Sequence, residues 1–162
     1  MDEISYHYEA VVKKTELDIV EKGHIAAEAE NGIVCNYALF YIAARDKENH
    51  LVGLLTAYTA FAEIYVEDLW VHSNYRKHKI GSTLLETLEN QFKGKGYNNI
   101  NLVTSAFQAP EFYKKCGYEV EFVRENKHHP KLTKTFFIKY FEDDIQHQGI
   151  IPNKIAFDKK LS

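Results

Sequence analysis

An α+β fold, a largely antiparallel sheet flanked by helices, follows from three features of the 162-residue sequence. The stretch from Ile33 to Val71 is dense in Val, Ile, Leu, Tyr and Phe and is broken by the charged turn Arg45-Asp46-Lys47-Glu48-Asn49, which predicts successive antiparallel strands. Apolar residues then recur every three or four positions at Ile80, Leu84, Leu85, Leu88 and Phe92, the spacing of a helix with one buried face. Beyond that helix, strands and helices alternate, so crossover connections enter only in the second half of the sheet.

The predicted order is β-α-β-β-β-α-β-α-β-β. Ile4, Tyr6, Tyr8, Ala10 and Val12 alternate with mostly polar residues, the period of a half-buried strand. Thr15 is placed to cap a helix running to Ala29, because it offers an oxygen acceptor while Glu16 and Asp18 add negative charge at the start. Its apolar stripe is Leu17, Ile19, Val20, Ile25 and Ala29, and Asn31-Gly32 stops it. Strands follow at 34–44, 51–60 and 62–72. The helix that starts at Ile80 ends at Gly94 and Gly96. Ile100 to Val103 reads as a short strand, Ala109 to Cys116 as a short helix stopped by Gly117, and Tyr118–Arg124 and Leu132–Phe141 as two closing strands. One domain spans 1–142. Residues 143–162 carry no clear period and read as a C-terminal extension, which leaves open whether they build a homodimer.

Composition excludes several function classes. Apolar residues make up 45% and charged residues 27% of the chain, and no apolar run approaches the roughly 20 residues of a membrane helix. The N-terminus shows neither a secretory nor an Arg-rich transit pattern, so a cytoplasmic protein without a membrane partner is expected. Lys+Arg of 20 against Asp+Glu of 23 gives a net charge of −3, with no long basic run, which disfavours nucleic acid as a partner. Cys35 and Cys116 are far apart and read as reduced, packed thiols. None of the eight histidines falls in HExxH or beside a cysteine pair, so no metal is expected. Only Arg45, Arg76 and Arg124 are arginines, and one of them lies in the most informative segment.

That segment runs Val71-His72-Ser73-Asn74-Tyr75-Arg76-Lys77-His78-Lys79-Ile80-Gly81-Ser82-Thr83-Leu84-Leu85, a strand followed by a basic loop and a helix N-terminus. The first turn of a helix has N–H groups without internal partners and a partial positive charge, which together suit a phosphate. Arg76, Lys77 and Lys79 add cations at the end where the helix dipole disfavours them unless an anion is present. A solvated basic loop is the alternative. The segment is not a P-loop, since no Gly-Lys pair precedes Ser82-Thr83.

Glu67-Asp68-Leu69-Trp70-Val71, followed by Arg76-x-x-x-Ile80-Gly81 and Leu84-Leu85, resembles the acetyl-coenzyme A signature of the GNAT family of N-acetyltransferases. Phe107-Gln108-Ala109-Pro110-Glu111-Phe112-Tyr113-Lys114-Lys115-Cys116-Gly117-Tyr118-Glu119 is similar to that family's later motif, at the usual separation. The resemblance covers about residues 4–141. It implies acetyl-CoA as cosubstrate, with the backbone of Leu69, Trp70 and Val71 pairing with the pantetheine arm. It further implies that Arg76, Lys77, His78, Lys79, Ile80, Gly81, Ser82 and Thr83 hold the pyrophosphate, with Gln108, Phe112 and Tyr113 completing the cofactor site. Two positions depart from the pattern: Lys79 stands where glycine is usual, and Ala106 where many members carry Asn. Gln108 is placed to replace some of that Asn's contacts.

The resemblance makes Tyr113 the general acid that protonates the departing thiolate; packing against core or cofactor is the alternative. A base must also accept the proton of the attacking amine. Glu67 and Asp68 are adjacent, so in a regular strand they point to opposite faces and only one enters a given pocket. Glu67 is favoured as base, with Asp68, a water relay, or plain solvated charges as alternatives. Tyr37, Phe40, Tyr41, Tyr58, Phe61 and Tyr65 are candidates to line an amine pocket by cation–π attraction, or are core; His128 and His129 border the substrate or lie in a surface loop. The expected function is acetyl transfer to a primary amine of a small cationic molecule. A noncatalytic coenzyme A-binding module and a protein N-terminal or lysine acetyltransferase are the alternatives.

Overall fold

The computed structural model describes residues 4–141; the extension assigned to 143–162 lies outside them. The chain divides into two compact units, Met1–Cys35 and Asn36–Ser162. In the first, helix α1 spans Lys14–Glu30, capped at Lys13, whose backbone N–H donates to Glu16 Oε2 at 3.1 Å. Thr15 therefore lies inside the first turn and does not cap it. Asn31 ends the helix, and Gly32 follows at φ +67°. The strand expected over residues 4–12 does not form, and those residues are exposed. Alternation supplies an apolar side, but a strand also needs a neighbouring ladder for its N–H and C=O groups, and none of the described strands pairs with this segment.

The second unit carries the sheet. Strands β1 (Ala38–Arg45), β2 (Leu51–Ala60) and β3 (Glu63–Val71) form an antiparallel meander; β1 starts later than the expected 34. Helix α2 (Ile80–Phe92) crosses over to β4 (Asn99–Ser105), α3 (Pro110–Lys115) leads to β5 (Glu119–Arg124), and β6 (Lys134–Tyr140) closes the sheet. The spatial order is β1-β2-β3-β4-β6-β5. Every neighbouring pair is antiparallel except β3 and β4, which the α2 crossover makes parallel. No helix among the described residues is long and apolar enough to cross a membrane. Cys35 and Cys116 are free thiols.

The period read from the sequence places α2 on the sheet: Leu84, Leu85, Leu88 and Phe92 are buried against Leu55, Ala57, Ile64 and Val66. Phe92 also meets Phe40 at 5.1 Å and Tyr97 at 5.2 Å between ring centroids. Lys139 of β6 donates to Glu89 of α2 at 2.7 Å and to the Cys116 carbonyl at 3.0 Å, tying the helix, the last strand and the end of α3 together. The helix packs tightly on β2 at Gly53, where an added Cβ would lie 2.9 Å from Ile80 Cγ2 and 3.2 Å from Leu84 Cδ1. Gly53→Ala is expected to push the first turn of α2 off the sheet and to cost about 1–3 kcal/mol, the usual scale of overpacking; urea unfolding measures it, and an unchanged midpoint would contradict this packing.

Candidate active site

The parallel pairing of β3 and β4 runs only over Glu63–Val66 against Asn99–Leu102. Beyond Val66 the two strands part, and the β3 backbone from Glu67 to Val71 has no partner on that side. Across the other edge Thr56 faces Asp68 while Ala57 faces Val66, so Glu67 is the extra residue of a β-bulge. The bulge sits where the strands separate. It opens a cavity of about 1080 Å³, lined by β3, the loop into α2, β4 and α3.

The bulge corrects one expectation. Strict alternation fails through it, and Glu67 and Asp68 both stand exposed and both border the cavity. Register shows how: Val66, Leu69 and Val71 face Ala57, Leu55 and Gly53 on the α2 side, and Asp68 and Trp70 face Thr56 and Leu54 on the other. Neither carboxylate accepts a hydrogen bond or ion pair from a described residue.

The loop into α2 is folded tightly. Its strand end is held by Arg76, whose Nε donates to the Val71 carbonyl at 3.1 Å, and by Tyr75, whose hydroxyl donates to Asp46 at 3.2 Å. Asp46 also accepts from the backbone N–H groups of Glu48 and His50 at 2.9 Å each, so it joins the β1–β2 turn to the loop. Those bonds hold its carboxyl below the usual range, the His50 N–H contributing most. Lys77 and Lys79 take the left-handed conformation, φ +66° and +62°. Lys79 is the N-cap of α2 in a left-handed conformation that favours glycine. Its carbonyl accepts from Thr83 N–H at 2.9 Å and Ser82 Oγ at 2.8 Å. The helix leaves the N–H groups of Ile80, Gly81 and Ser82 without internal partners, beside exposed Arg76, Lys77 and Lys79.

On the far side, Phe112 approaches Gly81 so closely that a Cβ there would lie 3.2 Å from Phe112 Cζ. Tyr113 packs on Phe137 with ring centroids 5.7 Å apart. Burial, with smaller contributions from the Asp68 and Cys116 charges, pushes its hydroxyl up to about 12. Gln108 Oε1 accepts from Ser105 N–H at 2.8 Å and Thr104 Oγ1 at 3.1 Å, which helps to fix the turn between β4 and α3, where Ala106 N–H donates to the Thr133 carbonyl at 2.8 Å.

The cavity thus brings together Glu67, Asp68, Leu69, Trp70, Val71, Arg76, Lys77, Lys79, Ile80, Gly81, Ser82, Gln108, Phe112 and Tyr113. His78 and Thr83 are exposed and lie outside the lining, as do His128 and His129, whose N–H groups donate to Asn126 Oδ1 at 3.2 and 2.8 Å. Sequence reasoning missed Tyr75, Thr104, Phe107 and Lys115 as lining residues. For Tyr75 the signal was its position next to Arg76 in the basic loop. Among the aromatic candidates Phe40 packs on Phe92 of the core, whereas Tyr58 stacks on Tyr65 and Tyr37 meets Tyr58 at a tilt of 39°.

An unpaired strand edge beside a cationic helix N-terminus is a geometry that suits an extended molecule with a phosphate at one end. The chain belongs to the acetyltransferase (GNAT) family, whose model matches residues 11–118. Membership makes it an acetyl-CoA-dependent N-acyltransferase. Its structure is similar to that of an acetyltransferase from Bacillus cereus ATCC 14579 at 28% identity and a TM-score of 0.68, covering 83% of this chain and 97% of that one. It is also similar to aminoglycoside 6'-acetyltransferase type Ii at 28% identity and a TM-score of 0.56, covering 76% and 81%. An aminoglycoside 6'-N-acetyltransferase complexed with coenzyme A shares the fold at 23% identity and a TM-score of 0.55, covering 78% and 86%. No curated protein sequence matches the chain.

Lys79 at φ +62° bears a left-handed penalty of about 1–2 kcal/mol, against which glycine would gain unfolded-state entropy of about 0.4–1 kcal/mol. Lys79→Gly is therefore expected to be neutral or mildly stabilising and Lys79→Val clearly destabilising, as read by urea midpoints; equal losses for both would contradict the left-handed cap.

Proposed function

We propose that the chain transfers acetyl from acetyl-CoA to a primary amine of a small cationic molecule by direct attack, in the cytoplasm, without a covalent enzyme intermediate. The observation that carries this reading is the open edge of β3 beyond Val66, with the cationic first turn of α2 at one end and Glu67, Asp68 and Tyr113 on the same cavity. The residues fit the cosubstrate. The edge of β3 at Leu69–Val71 that has no strand partner suits an amide-bearing arm, although the Val71 carbonyl already accepts from Arg76 Nε, and the α2 N–H groups with Arg76, Lys77 and Lys79 suit a pyrophosphate. Acetyl-CoA supplies a thioester carbonyl that an amine lone pair attacks.

The chain's own groups do the rest. Exposed Glu67 and Asp68 draw a cationic amine to the cavity mouth, and Glu67, with Asp68 as alternative, takes its proton directly or through water. Tyr113 donates a hydrogen bond to the departing sulfur. Its raised value makes it a weaker acid than free tyrosine, yet keeps it protonated across the range in which amines are neutral. Positioning of two bound reactants supplies much of the rate.

Isothermal calorimetry with acetyl-CoA and thiol release over an amine panel test the reading, and no binding at millimolar cofactor overturns it. Tyr113→Phe should lower kcat by about 10²-fold or more, the scale of general acid catalysis, with cofactor affinity little changed. Because Tyr113 is pushed up to about 12, its proton is present below that value and lost only as pH rises through it. Wild-type kcat should show no alkaline fall from this group below about pH 11; a fall near pH 9–10 that Tyr113→Phe abolishes would contradict the burial argument.

A further inference from the structure

The helix that carries Tyr113 is too short to hold its own place. Helix α3 has six residues, Pro110–Lys115, and an isolated helix of that length is unstable in water, so contacts from the rest of the chain decide where it sits. Its first turn is set by Phe112, which packs against Gly81 at the start of α2. Its end is set by Lys139 of β6. The Lys139 ammonium donates to the Cys116 carbonyl at 3.0 Å, and Cys116 is the C-cap of α3, its own N–H returning to the carbonyls of Phe112 and Tyr113 at 3.1 and 3.0 Å. The same ammonium donates to Glu89 of α2 at 2.7 Å and lies 5.5 Å from the centre of the Tyr118 ring. Gly117, at φ +85°, passes close by: a Cβ there would lie 3.4 Å from Lys139 Nζ.

Two side chains of one strand thus hold Tyr113 from two directions. Phe137 and Lys139 are two apart in β6 and share a face. The first packs on the Tyr113 ring, at 5.7 Å between centroids; the second grips the turn that closes on the Tyr113 carbonyl, to which the Tyr118 N–H also donates at 3.1 Å. Neither Lys139 nor Glu89 lines the cavity, so both act through α3. A cation at a helix C-terminus satisfies a carbonyl that helix geometry leaves without a partner, and Glu89, partly buried on α2, keeps that cation in place. We propose that Lys139, held by Glu89, is a positioning residue for acetyl transfer: its grip on the end of α3 fixes how far the Tyr113 hydroxyl reaches toward the departing sulfur. This rests on the reading of Tyr113 as the acid and names the residues that aim it. Displacing a reacting group by about 1 Å costs about a hundredfold in rate, so a loosened α3 shows first in kcat.

The test is a double-mutant cycle. Thiol release from acetyl-CoA, with the panel amine that wild type acetylates fastest, is measured for wild type, Lys139→Met, Tyr113→Phe and the double variant. Lys139→Met should lower kcat by about 10–100-fold with KM for acetyl-CoA within about threefold, the pattern of an interaction that acts in the transition state alone. In the Tyr113→Phe background the same substitution should change kcat by less than about twofold, because the hydroxyl it positions is already gone. Amide hydrogen exchange should quicken over residues 112–118 in Lys139→Met and stay at the wild-type rate over β3. Where circular dichroism shows that Lys139→Met does not fold, Glu89→Gln, which keeps the Lys139 bond to Cys116, decides in the same two backgrounds with a smaller loss. Wild-type kcat in the folded variant, an equal fall in both backgrounds, or unchanged exchange over 112–118 overturns the positioning role and leaves the acetyl-transfer reading standing. No thiol release from wild type, or wild-type kcat in Tyr113→Phe, overturns the acid reading and this proposal with it.

Discussion

The functional half of this molecule depends on where the parallel ladder between β3 and β4 stops. A parallel pair inside a sheet ordinarily continues along both strands, because each unpaired N–H or C=O facing the interior costs free energy comparable to a lost hydrogen bond. Here pairing ends at Val66 and Leu102, and the bulge at Glu67 both bends β3 and shifts its phase. Three consequences follow from that one irregularity. The strand edge from Glu67 to Val71 faces a cavity instead of a neighbour, Leu69 keeps its contact with the core under α2, and Asp68 and Glu67 stand on the outer side. A regular strand would have sent one of the two carboxylates toward the apolar face of α2, where an unpaired charge is costly.

The opposite sign of charge is gathered by a different device. Lys77 and Lys79 accept left-handed backbone conformations that disfavour a side chain, and the strain is localised to the turn that aims the first N–H groups of α2 at the cavity. Tyr75 and Asp46 brace that turn from the β1–β2 connection, so the cost is met by contacts outside the loop. An overall charge of −3 therefore conceals two separated regions: donors and cations at the start of α2, and unpaired carboxylates at the bulge. The first region suits a phosphate and the second a cation.

Much of this was legible in the sequence, and the exceptions have physical causes. The α2 stripe and the Arg76-to-Ser82 loop were readable because helical period and a basic helix entry leave local marks. The bulge left none: Glu67-Asp68 inside an apolar strand looks like two charges on opposite faces, and the shift arises only from pairing with Thr56 and Ala57. Residues 4–12 failed the other way, since alternation is local but a strand is a property of two chains of backbone. Lysine itself carries no preference for positive φ, so the mark at Lys79 lay in the glycine usual at that position of the pattern it resembles. The aromatic residues of β1 to β3 were divided by register alone, Phe40 to the core beside Phe92 and Tyr58 to the stack on Tyr65.

The electrostatics of Tyr113 connect the two regions. Burial is the main cause of its raised value, and the Asp68 charge adds to it. In the proposed reaction an ammonium near Asp68 would offset that charge and make Tyr113 a better proton donor. Negative charge growing on the departing sulfur would then strengthen the hydrogen bond that the proposed reaction assigns to Tyr113. In the empty site the same hydroxyl is held as an inert, protonated group.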